Sequence, residues 1–190
     1  MTAPDLSTTV PPLGPEVTVG VVVGNPKPAS RTLAAGSILA GKLAGRAPDA
    51  VVDLVELGGG LLERDDPDVR AAVEKVAGCD LVVVSCPTFK GTYTGLLKLF
   101  LDRFATAEGL AGVVAVPLML GAGPAHGLAP DLLLKSVLVE LGAVCPTPGL
   151  YLSDRTYETD PGVDTFVTRW SPVLQSLVAS GATAAARRVS

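Results

Sequence analysis

A short run of hydrogen-bond donors and cations follows the first apolar stretch of the chain. It contains Asn25, Lys27, Ser30, Arg31 and Thr32. An apolar, β-branched run precedes it and a helical pattern follows it, which predicts a turn between a buried strand and a helix. Free backbone N–H groups at the start of a helix favour a bound anion, and these side chains add donors and positive charge. The segment therefore predicts a site for a phosphate monoester; the alternative is an ordinary turn in which Ser30 caps the helix.

A second candidate loop places rigid, flat and small residues side by side. It comprises Pro87, Thr88, Phe89, Lys90 and Gly91. Proline fixes φ, phenylalanine offers a flat apolar face, and glycine lets the backbone approach a ligand closely. This combination suits a planar heterocycle, with Lys90 available to stabilise negative charge at the edge of the ring. The alternative is a rigid surface loop whose Phe89 packs inward.

A third candidate loop contains Gly121, Ala122 and Gly123, followed by His126, the only histidine of the chain. Its glycine spacing does not match the dinucleotide-binding fingerprint. The two glycines instead permit backbone N–H groups to approach a ring oxygen. His126 is a candidate for direct contact with the ligand; its alternative role is a hydrogen bond at the entry to the next helix.

Several other chemistries lack the residues they need. The sequence has no Walker-type phosphate loop and no nucleophile elbow, and its single histidine has no second titrating partner that the sequence identifies. The cysteines, Cys79, Cys86 and Cys145, lack metal-ligand spacing. We therefore predict no metal site and interpret them as small buried residues in a reducing, cytoplasmic compartment. A net charge of −4 without a basic stripe argues against a nucleic-acid partner.

The elements that would position these loops alternate along the chain. Strands are predicted at residues 17–23, 50–57, 81–85, 113–118 and 143–150, and helices at residues 31–45, 67–77, 94–104, 130–141 and 164–178. This alternation predicts an α/β fold, a doubly wound five-stranded parallel sheet with helices on both faces. Ligands bind such sheets at the carboxyl ends of the strands, where the three candidate loops lie. Pro117 is unfavourable inside a central strand and is predicted to mark where strand 4 diverges from its neighbour, whereas Pro172 is predicted to interrupt or restart the last helix.

The bulk composition predicts one domain. The chain has 190 residues, of which 48% are hydrophobic, and a mean hydropathy of +0.44, as expected for a parallel sheet covered on both faces. Residues 1–15 are predicted to form a disordered lead-in without the features of a signal peptide, residues 16–180 the folded domain, and residues 181–190 a flexible tail. No apolar run reaches the roughly 20 residues that span a bilayer, so no membrane interaction is predicted.

Together the three loops resemble the NADPH-dependent FMN reductase family of flavodoxin-like proteins. Residues 24–32 look like its Gly-Ser-Pro-Arg-x-x-Ser-x-Ser/Thr phosphate loop, and residues 87–98 are similar to its Pro-x-Tyr-Lys/Asn-x-Ser-x-x-Gly-x-Leu-Lys segment. Residues 121–126 resemble the Gly-Gly-x-x-Ala-His segment of the subgroup that supplies reduced flavin to alkanesulfonate monooxygenases. The likeness extends over about residues 17–150, most of the chain.

The resemblance implies a flavodoxin-like sheet with strand order 2-1-3-4-5 and a site for FMN. It places the FMN phosphate at Asn25, Lys27, Ser30 and Thr32, and the isoalloxazine ring against residues 87–91 and 121–123, with His126 close by. It also implies hydride transfer from NADPH or NADH to FMN, without a catalytic acid–base side chain. A flavin-dependent monooxygenase as partner and a homodimer or homotetramer are further implications.

The chain departs from the family pattern at four positions. Asn25 replaces the usual Ser, Phe89 the usual Tyr, and Ala122 a Gly. Leu132 stands where the sulfonate-linked subgroup often has an aromatic residue, at an irregular, π-like turn early in the fourth helix. These departures bear on the sulfonate assignment and on whether FMN leaves as a product or stays bound.

The sequence leaves other functions open. A quinone or azo compound is an alternative final acceptor, and a flavodoxin-type electron carrier or a non-enzymatic sensor of a phosphate ligand are alternatives from other classes. Lys90, Arg103 and Arg155 are equivalent candidates for contact with the 2′-phosphate of NADPH. The apolar face of the predicted helix 94–104, together with the high hydropathy, favours an oligomer.

Overall fold

Five parallel strands lie in the order β2-β1-β3-β4-β5 in the computed structural model, which describes residues 11–179. The strands are β1 (Val19–Val23), β2 (Ala50–Asp53), β3 (Leu81–Pro87), β4 (Val114–Gly121) and β5 (Leu150–Ser153). The helices are α1 (Arg31–Ala44), α2 (Pro67–Ala77), α3 (Gly95–Leu101), α4 (Lys135–Glu140) and α5 (Pro161–Ala179). The predicted α/β architecture and strand order are confirmed.

Helices cover both faces of the sheet, so its central strands are apolar along their whole length. Every residue of β3 and β4 is buried. On one face α1 and α5 contribute Leu39 and Phe166 to the core. On the other face α2, α3 and α4 contribute Val76, Phe100 and Leu138. Burial on both faces explains why these strands are continuous apolar runs rather than alternating ones.

Local signals set the ends of the first two helices where they were predicted. Ser30 caps α1 by accepting a hydrogen bond from the N–H of Leu33, and Gly45 ends it in the left-handed region at φ 69°. Asp66 caps α2 by accepting from the N–H groups of Asp68 and Val69. Both helices therefore follow from capping residues that the sequence displays.

The second strand is shorter than predicted. The prediction extended it to residue 57, but β2 ends at Asp53 and residues 54–62 form 3-10 turns. A kink at Gly58, whose φ is 50°, separates the two parts of this segment. Leu54 and Leu61 are buried there, so turns rather than a strand bury the apolar run.

The fifth strand was predicted too early. It was placed at residues 143–150, whereas β5 comprises Leu150–Ser153. Val144 pairs with Val114 only as an isolated bridge. Pro146 and Pro148 lack the N–H groups that a continuing ladder needs, which accounts for the error.

Pro117 sits inside β4 at a gap in the pairing with β5. The N–H of Val114 donates to the carbonyl of Asp80 on the β3 side, and that of Ala115 donates to Val144 on the opposite side. Because backbone nitrogens point alternately to the two sides of a strand, the nitrogen of Pro117 faces the β5 side, as that of Ala115 does. Pairing there resumes only at Leu118. Pro117 thus stays in register with β3 and lies just before the start of the pairing with β5, so β4 does not diverge from its neighbour there.

Other boundaries also differ from prediction. The third helix is shorter than residues 94–104, and the fourth begins with a π-helical turn at Pro130–Leu134. The last helix begins earlier, at Pro161, and runs through Pro172 without the predicted interruption. Strands β3 and β4 extend to Pro87 and Gly121, which brings both candidate loops to the ends of ordered strands.

The predicted lead-in and tail lie largely outside the described residues. Within the lead-in, Leu13 is buried and its N–H donates to the carbonyl of Leu43 over 2.9 Å. The tail at residues 181–190 lies outside the described part entirely. Among residues 11–179, no helix is both long and apolar enough to cross a membrane.

Candidate functional site

Three loops meet at one edge of the sheet because β1, β3 and β4 are parallel neighbours. We call them loop A (residues 24–30), loop B (residues 87–94) and loop C (residues 121–127). The N–H of Gly24 donates to the carbonyl of Ser85 over 2.8 Å, which ties loop A to β3. The N–H of Thr88 donates to the carbonyl of Leu120 over 2.6 Å, which ties loop B to β4. The tertiary structure thus brings the three predicted segments together.

Side chains within loop A and α1 hold the loop in shape. Asn25 accepts a hydrogen bond from the N–H of Lys27 (3.0 Å) and donates from Nδ2 to Oγ1 of Thr32 (2.9 Å). Ser30 Oγ accepts from the N–H of Leu33 (3.2 Å). Two of the predicted phosphate ligands, Asn25 and Thr32, therefore bond to each other. Their side chains serve first to close the loop around the start of α1.

The two cations of loop A and the first turn of α1 have different partners. Lys27 is exposed and makes no ion pair with any residue in the described range. Arg31 pairs with the carboxylate of Asp154 (3.2 Å) and donates to its carbonyl (2.8 Å). Lys27 is thus available to an anion, whereas Arg31 is held by the segment that follows β5.

Loop B is a tight hairpin beside an exposed aromatic ring. Phe89 and Thr92 exchange two backbone hydrogen bonds, of 2.9 and 3.2 Å. Lys90 and Gly91 between them have φ values of 54° and 86°, as a type I′ turn requires. The Phe89 side chain is 50% exposed, so it does not pack inward. Glycine at position 91 is thus explained first by the turn geometry.

Cys86, at the end of β3, is built into the support of loops A and B. Its Sγ accepts a hydrogen bond from the N–H of Thr94 (3.2 Å), and Thr94 Oγ1 donates to the carbonyl of Gly24 (2.6 Å). Burial raises the pKa of the Cys86 thiol to about 11. A buried thiol that stays protonated is a structural residue rather than a nucleophile.

Loop C is shaped by a residue of β5. Tyr151 donates from its hydroxyl to the carbonyl of Gly123 over 2.9 Å. A Cβ on Gly121 would lie 1.8 Å from that hydroxyl, so any other residue there would force the tyrosine to move. A Cβ on Gly123 would meet nothing within 4 Å. The missing side chain of Gly121 thus makes room for the Tyr151 hydroxyl, while the space next to Gly123 is open.

Loops B and C enclose an open cavity of about 650 Å³. Its lining comprises Thr88, Lys90, Gly91, residues 121–126 and Tyr151. His126 touches loop B, because a Cβ on Gly91 would lie 3.4 Å from its Nε2. The residues of loop A, together with Pro87 and Phe89, do not line this cavity. Most of the predicted ring-binding residues therefore line this cavity, whereas the predicted phosphate loop does not.

A second hollow of about 720 Å³ continues from the first and shares Gly91 and residues 124–126 with it. Its far side consists of Leu128, Leu132 and Leu133. Leu132 lies in the π-helical turn and is 68% exposed. The irregular turn that the resemblance implied is therefore present at this position, with a leucine in place of an aromatic residue.

The comparison with known families agrees with this geometry. The model of the NADPH-dependent FMN reductase family matches residues 17–158, which contain all three loops and all five strands. The chain belongs to this family. The family resemblance drawn from the loop sequences is confirmed.

Curated relatives within the family carry related names. The FMN reductase (NADPH) of Escherichia coli is 36% identical over 90 residues, covering 47% of this chain and 47% of the relative. The NADH-dependent FMN reductase SfnF of Pseudomonas fluorescens is 28% identical over 139 residues, covering 67% of this chain and 72% of the relative. The chain spans about half the length of the first relatives it matches.

Solved structures give the same fold. The apo form of an NADH:FMN oxidoreductase, EMOB, superimposes with a TM-score of 0.70 at 25% identity, covering 85% of this chain and 88% of that one. An archaeal flavodoxin superimposes with a TM-score of 0.54 at 15% identity, covering 85% and 98% of the two chains. The flavodoxin-like prediction is confirmed at the level of the fold.

The residues of this FMN reductase family member fit a flavin mononucleotide chemically. Loop A offers the Lys27 ammonium and the first N–H groups of α1 to a phosphate. In loop C, the N–H groups of Ala122 and Gly123 have no acceptor within the described residues. Thr88 Oγ1, beside the cavity, is buried without a hydrogen-bond partner in that same range. Unused hydrogen-bonding groups thus stand in loop A, in loop B and in loop C.

Sequence reasoning missed Tyr151, which lines the cavity, and Asp154, which donates its N–H to the carbonyl of Gly121. Both lie at or just after the carboxyl end of β5, where the rule that located the other loops also applies. The misplaced fifth strand hid them. Arg103, by contrast, donates to the carbonyl of Glu63 over 2.7 Å and lines a separate cleft. It is therefore not placed near the cavity with Lys90.

Proposed function

We propose that this protein is an NAD(P)H-dependent FMN reductase that transfers hydride from reduced nicotinamide to FMN. The observation that carries the proposal is the meeting of loops A, B and C at the carboxyl ends of three adjacent parallel strands. Family membership supports the same reaction class. When bound, the flavin supplies the redox chemistry; the protein binds, orients and tunes it.

Loop A is proposed to hold the phosphate. Lys27 supplies a mobile positive charge, and the N–H groups at the start of α1 supply fixed donors. Ser30 contributes by capping the helix, while Asn25 and Thr32 keep the loop closed around the site. The Ala29 φ of 49° is consistent with a loop whose backbone is held in a special conformation.

Loops B and C are proposed to hold the ring. Gly91 and Gly123 let backbone and ligand approach, and Phe89 offers an exposed flat face. The N–H groups of Ala122 and Gly123, with the Lys90 ammonium, would stabilise negative charge at the edge of the ring. No acid–base side chain is required, because hydride passes between the two bound molecules.

Titration of the purified protein with FMN tests the proposal. We expect flavin binding, followed by loss of the visible absorbance of the flavin when NADPH or NADH is added under argon. Binding without bleaching would favour an electron carrier, and no binding would favour a sensor of another phosphate ligand. Steady-state assays with free FMN, a quinone and an azo dye identify the final acceptor.

Three finer features belong to the same proposal. The likeness of loop C to the sulfonate-linked subgroup supports a flavin-dependent monooxygenase as the consumer of reduced flavin. The exposed Leu128 and Leu132, at 67% and 68%, support a homodimer or homotetramer. Light scattering at several concentrations tests the assembly, and coupled turnover with a monooxygenase tests the partner. A cytoplasmic location remains a prediction from the cysteine content.

A further inference from the structure

Arg31 connects two parts of the site that are far apart in the sheet. It is the first residue of α1, next to loop A, and Asp154 follows β5. Since β3 and β4 lie between β1 and β5, the contact passes across the width of the site. Asp154 in turn donates its N–H to the carbonyl of Gly121 over 3.0 Å. A chain of contacts therefore runs from α1 through Asp154 to the start of loop C.

This chain of contacts joins the start of α1, next to loop A, to loop C through one residue, Asp154. In the described part of the protein, no other hydrogen bond or ion pair joins residues 24–32 with residues 121–154. Arg31 uses two different nitrogens, one on the Asp154 carbonyl and one on its carboxylate. The two-pronged contact fixes an orientation that a lysine could not reproduce.

Asp154 depends on this arginine. Its Oδ2 pairs with Arg31, and its Oδ1 is buried with no hydrogen-bond partner within residues 11–179. The Arg31 side chain is 59% exposed and that of Asp154 is 27% exposed. An ion pair this exposed contributes little to global stability, so its effect is expected in local geometry.

We propose that Arg31 is a positioning residue that acts through Asp154 to set the span between loop A and loop C. The inference rests on the proposed function, because that span matters for a ligand that engages both loops at once. FMN engages loop A with its phosphate and loops B and C with its ring. Riboflavin has the same ring and no phosphate, so its binding does not depend on the distance between loop A and loop C.

Affinity measurements with both flavins test this role. We expect Arg31→Gln and Asp154→Asn each to weaken FMN binding about three- to ten-fold and riboflavin binding less than about two-fold. The double variant should be no weaker than either single variant, because both changes break one link. Arg31→Lys should restore only part of the FMN affinity.

Lys42→Gln is the matched control. Lys42 also lies on α1 and forms an exposed ion pair with Asp164 of α5, so it loses the same kind of contact away from the site. Its FMN affinity should match that of the unmodified protein. If Arg31→Gln weakens FMN binding while Asp154→Asn leaves it unchanged or strengthens it, Arg31 binds the phosphate directly and the proposal is wrong.

Amide hydrogen exchange on the flavin-free protein separates this inference from the proposed function. Arg31→Gln and Asp154→Asn should speed exchange at Asp154 and in residues 121–127, and Lys42→Gln should not. Unchanged exchange in both site variants would overturn the positioning role whatever the ligand. Failure of the unmodified protein to bind FMN, with exchange altered as expected, would instead overturn the flavin function and the assignment of the span to FMN.

Discussion

The hydroxyl of Tyr151 stands directly over Gly121. It occupies the place where a β-carbon at position 121 would lie, at a separation of 1.8 Å, and donates to the carbonyl of Gly123 over 2.9 Å. The tyrosine thus joins β5 to loop C and forms part of the cavity wall. Gly121 and Gly123, which look equivalent in the sequence, have different tasks.

Alanine substitutions at the two glycines should therefore differ in their effects. Gly121→Ala forces Tyr151 to move and breaks its hydrogen bond, so we expect the free energy of unfolding to fall by about 1–3 kcal/mol. Gly123→Ala meets open space at an extended φ of −166° and should change it by less than about 0.5 kcal/mol. Urea denaturation measures both. Equal stability losses would mean that Tyr151 does not fill the space over Gly121.

The phosphate loop makes a second prediction. Lys27→Ala should weaken FMN binding about three- to ten-fold without changing stability, because the side chain is exposed and makes no ion pair in the described range. Ser30→Ala should weaken FMN binding and also lower the free energy of unfolding by about 1 kcal/mol, because it removes the cap of α1. Calorimetric titration and urea denaturation measure the two quantities.

Asp66→Ala is the control for Ser30→Ala. Asp66 caps α2 through hydrogen bonds of 3.0 and 2.9 Å and lies outside the three loops. It should cost a similar free energy of unfolding and leave FMN affinity intact. If both cap variants weaken FMN binding equally, Ser30 acts through general stability and the phosphate assignment loses its support.

Cys86 predicts a loss of stability in alkaline solution. Burial raises the pKa of its thiol from 9.0 to about 11, so the folded state retains the proton more tightly than the unfolded state. The stabilisation is complete below pH 9 and is lost as the pH rises towards 11, by up to about 1.4 kcal/mol per pH unit. Denaturation between pH 8 and 11 should show a shallower decline for Cys86→Ala. A decline as steep as in the unmodified protein would contradict this prediction.

Asp53 is a residue whose replacement should stabilise the protein at neutral pH. It is buried at the end of β2, its Oδ1 has no hydrogen-bond partner in residues 11–179, and burial raises the pKa of its carboxyl group. Ionisation above pH 4 therefore costs more in the folded state than in the unfolded state. Asp53→Asn should raise the free energy of unfolding at pH 7, and raise it less near pH 3.

Asp49→Asn is the matched control for Asp53→Asn. Hydrogen bonds from the N–H of Val19 and from Arg46 lower the pKa of Asp49. Its ionised form thus stabilises the folded state above the usual aspartate pKa, and this contribution is lost as the pH falls through the lowered value. Asp49→Asn should therefore destabilise the protein at pH 7 and have little effect at low pH. The same sign for both variants at pH 7 would contradict the assigned environments.

Much of the fold was readable in the sequence because its signals are local. Ser30, Gly45 and Asp66 mark helix ends by capping chemistry, and continuous apolar runs mark strands buried on both faces. The apolar run before β5 indicates a strand too early, because Pro146 and Pro148 prevent that run from joining the ladder. At position 117 the sequence shows only that an N–H group is missing; that this position lies at a gap in the pairing with β5 is visible only in the assembled sheet.

The three loops are predictable from local sequence, since each follows an apolar strand and parallel strands end at one edge. The partners of their side chains depend on contacts between distant parts of the chain. Arg31 meets Asp154 across 123 positions, and Tyr151 meets Gly123 across 28. Neither pairing can be predicted from local spacing, because it joins residues that come close only in the assembled sheet.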